Sequence, residues 1–369
     1  MVMREYTDGN SAVVRGALAA GCDFFAGYPI TPASGILMAM MRELPRTGGV
    51  AIQGEDEIAS IGMCIGATLA GSRAMTATSG PGISLYSENI GLAVMGEVPL
   101  VIVDVQRLGP ATGGATTVSQ GDVQFVRWGT AGGYPIIALA PTNVVECFSF
   151  TARAFHLAER FRCPVFVLTD KALAMTLTTV DLDAYPSIEA VQRPTATVGA
   201  PYRYEPADAV SPLRLYGEGE VVRFTGSTHD ESAFITKRPP TVGALNRHLA
   251  AKIDDHVDEI ESVALDLEPG ADTLLLGYGV TAGAVHQAVA TTRADGDKLS
   301  SMIVHSLWPV PETSLTAALE GITRIVVPEL NLGLYRREVE RLAGTRTVLG
   351  VNRIDGELIS AADILEVAA

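Results

Sequence analysis

The sequence predicts an α/β protein: a parallel sheet with helices on both faces, followed by a second, smaller α/β domain. Three observations point there. Short apolar runs alternate with helix-patterned segments through the first half of the chain. The alternation stops in a proline-rich stretch and then resumes. Hydrophobic residues make up 47% of the 369 residues and charged ones 19%, enough to fill a packed core and to exclude wholesale disorder. At roughly 100–200 residues per domain, the length suits two or three domains.

Ser11 to Ala20 is helical in pattern and leads into the apolar run Cys22 to Ala26. Glu57 to Leu69 reads as a small-residue helix, Ala74 to Thr78 as a strand, Leu85 to Met95 as a helix and Leu100 to Val105 as a strand. Val144 to Phe161 spaces its apolar residues as a helix does, and Val165 to Thr169 is a buried strand ending at Asp170. Strand ends carry the functional loops of such sheets, so the turns after Ala26, Thr78, Val105 and Thr169 hold the interest. From Thr178 to about Asp255 the periodicity fails among seven prolines, which predicts an extended arm packed along a surface. Asp258 to Val263 then runs into a strand, Thr273 to Leu276. Helix Ala282 to Thr291, strand Ser301 to His305, helix Glu312 to Leu319, strand Arg324 to Pro328 and helix Gly333 to Leu342 follow. The expected division is residues 1–185, an arm over 186–255, and residues 256–369.

Lys+Arg total 27 against Asp+Glu 42, a net charge of −15. An acidic surface repels phosphate backbones, so nucleic acid is not an expected partner. Cys22, Cys64, Cys147 and Cys163 have no ligand spacing for zinc or an iron–sulfur cluster and read as buried reduced thiols, so no metal site is expected. Met1 to Asn10 lacks the apolar run of a secretory signal, and no stretch approaches the ~20 residues that span a bilayer. A cytoplasmic protein without membrane contact is the expectation.

Four clusters could carry chemistry. In Gly27-Tyr28-Pro29-Ile30-Thr31-Pro32-Ala33-Ser34, two prolines three apart hold the backbone around Thr31. The ordinary reading makes Thr31 a helix N-cap with Pro32 at the first helical position. Glu55-Asp56-Glu57-Ile58-Ala59 opens the small-residue helix. Acids there complement the helix dipole, while the glycines and alanines suit a tight interface beside which a carboxyl would be desolvated. Thr76-Ala77-Thr78-Ser79-Gly80-Pro81-Gly82 could present N–H groups to an anion, but it lacks the lysine of a P-loop. Val105-Gln106-Arg107-Leu108-Gly109-Pro110, with Thr112-Gly113-Gly114 and Gln120-Gly121-Asp122, places an arginine just past a buried strand. Its planar fork suits a carboxylate, either of a substrate or of an internal salt bridge. Leu276-Gly277-Tyr278-Gly279-Val280-Thr281-Ala282-Gly283 is a weak dinucleotide signal that strand–helix packing explains more simply, and His229 reads as part of a structural turn.

Together these clusters resemble the alpha subunit of the 2-oxoacid:ferredoxin oxidoreductases, thiamine diphosphate enzymes that include 2-oxoglutarate synthase. Gly226-Ser227-Thr228-His229-Asp230-Glu231 and Pro328-Glu329-Leu330-Asn331 extend the likeness over nearly the whole chain. The resemblance implies a pyrimidine-binding-type thiamine diphosphate domain followed by a transketolase C-terminal-like domain. It implies Glu57, with Glu55 as the alternative, as the carboxylic acid against the aminopyrimidine of the cofactor, and Arg107 and Thr31 as substrate-binding residues. Tyr28, Pro29, Ser79 and Gly80 would line the cofactor pocket. A beta subunit would carry the diphosphate site, Mg²⁺ and a [4Fe-4S] cluster, in an assembly of two alpha–beta pairs. Coenzyme A would take the acyl group and ferredoxin the electrons. The chain departs from the family pattern at Ala131-Gly132-Gly133, where relatives have His-Gly-Asp, and at Gly114-Ala115-Thr116. These departures leave the substrate open, and with it a catalytically altered paralogue serving a structural or regulatory role or a non-standard thiamine diphosphate reaction.

Overall fold

In the computed structural model, which describes residues 4–369, the strands Leu100–Gln106 and Pro164–Asp170 are buried at every position. A parallel sheet covered on both faces requires just such apolar runs. Residues 1–3, part of the polar N-terminal stretch, lie outside the described residues. The chain proceeds through β1 (Arg4–Thr7), α1 (Gly9–Ala19), β2 (Phe24–Gly27), α2 (Ser34–Glu43), β3 (Val50–Gln53) and α3 (Glu57–Leu69). It continues through β4 (Ala74–Thr78), α4 (Pro81–Leu85), α5 (Ser87–Met95), β5 (Leu100–Gln106), α6 (Val123–Trp128) and β6 (Ile137–Leu139). Then come α7 (Val144–Phe161), β7 (Pro164–Asp170), α8 (Lys171–Met175) and β8 (Thr178–Asp181), the last paired antiparallel with β1.

After an irregular stretch over 185–238 come α9 (Pro239–Asp254), α10 (Val257–Ile260), β9 (Val263–Asp266), β10 (Thr273–Gly277), α11 (Thr281–Ala294) and β11 (Ser300–Val304). The last elements are β12 (Ser306–Trp308), α12 (Glu312–Ala318), β13 (Arg324–Glu329), α13 (Arg336–Leu342), β14 (Thr347–Asn352) and α14 (Ala361–Ala368). The first sheet has the order β12-β6-β7-β5-β4-β2-β3 and the second β14-β13-β10-β11-β9. Both are parallel except for one edge strand each, β12 and β9. Because β12 comes from the second half and pairs with β6, the two halves share a sheet as well as a continuous core that runs from Ala26 and Tyr86 to Trp308 and Tyr335.

The expected extended arm is in part a helix. Pro239 and Pro240 occupy the first turn of α9, where a missing N–H costs nothing. Its buried side carries His248 and Lys252 among Leu245, Leu249 and Ile253, which hides the apolar period from sequence reading. Both polar residues meet Glu97, fully buried in a left-handed turn with φ +50°. Glu97 Oε2 lies 2.9 Å from His248 Nε2 and 3.0 Å from Lys252 Nζ. Lys252 also donates to the Arg162 carbonyl at 3.0 Å. Arg162 Nε donates to the Glu97 carbonyl and its Nη1 to those of Pro201 and Ser211, which stitches the irregular stretch to the sheet domain.

Burial by itself would raise the Glu97 carboxyl, but Lys252, His248 and Arg162 overcome it and hold the group well below the usual carboxylate range. A depressed carboxyl contributes stability that is present above the ordinary glutamate range and lost as pH falls through it toward the lowered value. Glu97→Gln, which leaves Lys252 buried without its counter-charge, is expected to cost about 3–5 kcal/mol in urea unfolding at pH 7. The difference from the parent chain should shrink below pH ~4.5.

Candidate functional site

The carboxyl ends of β2, β4 and β5 meet at one place, as the register Phe24↔Ala74 and Thr78↔Asp104 requires. Three of the four predicted clusters converge there. Arg107, 5% exposed, donates from Nη1 to the Thr31 carbonyl at 2.6 Å, and its side chain lies beneath Gly80, whose φ is +47°. Its guanidinium has no carboxylate salt-bridge partner among the described residues, and its Nε has no hydrogen-bond partner. The internal salt bridge is therefore not what holds Arg107. Thr31 is not the cap of α2 either: that helix starts at Ser34 behind Ala33, which makes no side-chain cap.

Glu57 opens α3 with its side chain buried, while Asp56 serves as N-cap by accepting from Ala59 N at 2.7 Å. Dipole complementarity thus falls to Asp56 and leaves the Glu57 carboxyl turned inward. Glu55 is exposed. Gly82 lets the next loop approach: a Cβ there would stand 2.0 Å from Thr78 Oγ1 and 3.0 Å from Glu57 Oε1. Ser79 Oγ and Thr78 Oγ1 are buried with no hydrogen-bond partner. Tyr28 and Pro29 lie on the exposed side of the first turn.

Behind Arg107 lies a cavity of about 410 Å³, lined by Gly80, Arg107 and Asp122 from the first half and by Asn331, Leu334 and Ile354 from the second. The loop from Arg107 to Asp122 is clasped by the second half. Gln120 N donates to the Leu330 carbonyl at 3.0 Å, its Oε1 accepts from Leu330 N at 3.1 Å, and its Nε2 donates to the Tyr278 carbonyl at 3.1 Å. Asn331 Nδ2 donates to the Gln120 carbonyl at 2.7 Å and to Tyr278 Oη at 3.0 Å, and Tyr278 Oη donates to Glu329 Oε1 at 2.8 Å. Gly279 makes room for Gln120, since a Cβ there would fall 2.6 Å from Nε2. Gly279 thus serves close packing, whereas Gly283 has open space beside it.

Sequence reading missed two members of this site. Asp104 interrupts an apolar strand, and a lone carboxylate there is the signal that could have found it. Asn331 was visible only as part of a familiar motif. The departures at Ala131 and Gly133 do not line the Arg107 cavity, nor do Gly114 to Thr116. The 131–133 loop lies beside Trp128, and Arg127 donates to its Gly133 carbonyl. His229 is fully buried, with Nδ1 2.7 Å from Tyr204 Oη and Nε2 3.2 Å from the Met95 carbonyl, the partners of a structural turn. The four cysteines are buried free thiols, and burial pushes Cys64, Cys147 and Cys163 up to about 12. Among the described residues no cluster of His, Cys, Asp and Glu could hold a metal, and no helix is long and apolar enough to cross a membrane.

The site thus combines a doubly covered parallel sheet with an inward glutamate and a glycine loop at its strand ends. Residues 15–246 match the family described as "Pyruvate flavodoxin/ferredoxin oxidoreductase, thiamine diP-bdg", and residues 271–364 match "Pyruvate:ferredoxin oxidoreductase core domain II". The chain belongs to this oxidoreductase family, as its motifs implied. It is 41% identical over 368 residues to 2-oxoglutarate synthase subunit KorA of Methanothermobacter thermautotrophicus, covering 99% of this chain and 98% of the relative. The KorA of Methanocaldococcus jannaschii is 43% identical over 359 residues, 96% of each chain. Ketoisovalerate oxidoreductase subunit VorB of M. thermautotrophicus is 35% identical, covering 97% of this chain and 95% of VorB.

Among solved structures, the 2-oxoglutarate:ferredoxin oxidoreductase from Magnetococcus marinus, with 2-oxoglutarate, coenzyme A and succinyl-CoA bound, superposes with a TM-score of 0.92 at 32% identity. The match covers 99% of this chain and 64% of that one. A split-gene transketolase shares the fold at a TM-score of 0.57 and 11% identity. The clasp should be measurable apart from activity. Asn331→Ala leaves the buried Gln120 carbonyl without a donor and is expected to speed amide exchange across 108–120 by roughly tenfold or more, while β5 itself keeps its protection.

Proposed function

We propose that this chain is the alpha subunit of an enzyme that oxidatively decarboxylates a 2-oxoacid of the 2-oxoglutarate type. The observation that carries this reading is one loop, 78–82, that touches the buried Glu57 carboxyl on one side and the Arg107 guanidinium on the other. In balanced form, a 2-oxoacid and a coenzyme A thiol give an acyl thioester, CO₂, one proton and two electrons, and ferredoxin accepts the electrons. The catalytic division over residues 1–185, the arm over 186–255 and the domain over 256–369 follow the same reading.

The residues present fit the pyrimidine half of thiamine diphosphate. Glu57 offers a buried carboxyl, Ser79 offers an unpartnered hydroxyl, and Gly82 carries no side chain where Thr78 Oγ1 and the Glu57 carboxyl come close. When bound, the cofactor supplies the electron sink that lets a 2-oxoacid lose CO₂. Glu57 would stand against the pyrimidine nitrogen as the acid–base partner of the cofactor. Tyr28 and Pro29 form the outer wall of the same pocket. Arg107 keeps its Nε and Nη2 free for the substrate carboxylate, since its Nη1 is already spent on Thr31. That bond also fixes Thr31 beside the substrate, and holding both ends of a small acid is how positioning lowers a barrier.

A partner beta subunit would carry the diphosphate, Mg²⁺ and [4Fe-4S] sites in an assembly of two alpha–beta pairs; the relatives' naming as subunits supports the existence of a partner. The open face of α3 supports this. Ile58 and Met63 are exposed there, and Gly62 and Gly66 have open space beside them. In the assembled complex, Glu57→Gln should lower kcat by roughly 10²–10⁴-fold in CO₂ release and ferredoxin reduction. Unchanged turnover would remove Glu57 from the mechanism and leave the chain as a structural or regulatory partner. Arg107→Ala should raise the KM for 2-oxoglutarate by about 10–100-fold, the worth of one charge-assisted contact. An unaltered KM would show that Arg107 is not the carboxylate anchor.

A further inference from the structure

Two carboxyls in this site have no place in the scheme above. Asp104 lies in the middle of the central strand β5, fully buried, and neither of its oxygens makes a regular hydrogen bond. Asp122 faces it from the start of α6. An aspartate at that position ordinarily caps its helix, but Asp122 makes no cap bond. Its backbone N–H is instead held by Gln106 Oε1 at 3.1 Å, and its Oδ2 is buried without a partner. Asp122 also lines the cavity into which Arg107 opens. Protein cores seldom leave polar atoms unpaired, and here two facing carboxyls are left so within reach of a single cation.

We propose that Asp122, backed by Asp104, is a positioning residue that couples binding of the 2-oxoacid at Arg107 to uptake of one proton by this carboxyl pair. The inference rests on the reading of Arg107 as carboxylate anchor. Charge arithmetic in a desolvated site supports it. Two facing carboxyls cannot both ionise, so the empty pair carries one negative charge at neutral pH. Burial, followed by the charge of Asp122, keeps the proton on Asp104, while burial pushes Asp122 up to about 6. Arg107 balances the single charge of the pair. An arriving substrate carboxylate adds a second negative charge beside the same guanidinium, and protonation of Asp122 restores neutrality.

The other groups facing the pair are uncharged: the Gly80 N–H, the Gln106 amide, and the cavity wall from Ser84, Ser119, Asn331 and Leu334. The sign follows from linkage. A substrate whose binding takes up a proton binds more tightly at low pH, and its KM rises as pH passes the ionisation of the free pair.

The test is the pH profile of KM for 2-oxoglutarate in the assembled holoenzyme between pH 5.5 and 8.5. The parent enzyme should show a rise of roughly tenfold from pH 6 to pH 8. Asp122→Asn should flatten the profile and leave KM below that of the parent at pH 8. Asp104→Asn, which keeps a neutral donor beside Asp122, should retain the rise. Parallel profiles for the parent and Asp122→Asn, or loss of the rise in Asp104→Asn, would overturn the proposal. Should Arg107→Ala raise KM while these profiles stay parallel, this inference alone fails and the anchor stands.

Discussion

The hydrogen-bond exchange between Gln120 and Leu330-Asn331 is the constraint on which the rest of the site depends. Gln120 uses its backbone N–H, its carbonyl and both ends of its side chain on partners more than 150 positions away in sequence. Ser119 adds a bond to the Leu330 carbonyl at 2.7 Å. These groups are buried, so each bond that fails leaves a polar atom without water to replace it. The loop it fixes begins at Arg107 and ends at Asp122. The second half is therefore a wall of the pocket and not an appendage, and β12, lying in the sheet of the first half, carries the same coupling into the core.

The molecule treats its buried charges in two ways. Around Glu97, Lys252, His248 and Arg162 converge on one carboxylate, whose Oε1 alone lacks a hydrogen-bond partner, and their spare donors reach carbonyls. A network paired this far holds segments together. At the strand ends the opposite holds. Thr78, Ser79, Asp104, Arg107, Asp122 and Thr169 each keep a buried polar atom without a partner. They fall at the carboxyl ends of the three central strands, the place where open α/β sheets bind ligands. Unpaired groups gathered at that edge are the cost of a site preorganised for something polar.

What the sequence could show divides along physical lines. The helices Glu57–Leu69 and Val144–Phe161 and the strand Ala74–Thr78 were legible to the residue, because burial imposes a period on them. The strand Val50–Gln53, at the sheet edge and half exposed, has no such period and was missed. The helix Pro239–Asp254 was read as extended because the charges it buries, His248 and Lys252, break the apolar stripe. Among site residues, the choice between Glu57 and Glu55 stayed open in sequence since both precede one helix. In the fold Glu57 is buried and Glu55 exposed, and Asp56 between them takes the cap. Asp122 was seen but given no role, because Asp104 lies eighteen positions away in sequence and only the fold brings the two elements together.

The two sides of the site are finished to different degrees, and this bears on how the work is divided between chains. The side that faces Arg107 is closed by this chain's own second half, with Asn331, Leu334 and Ile354 as wall. The side that faces Tyr28, Pro29 and α3 is left exposed, and its helix offers Gly62 and Gly66 where most surface helices carry charge. Glu57 opens that helix with its carboxyl buried. On the proposed reading, closure of the open face by another chain would complete the cofactor half of the site, while the half around Arg107 is walled by this chain alone. Selection of the acid group would then belong to this subunit, and assembly would control whether chemistry can begin.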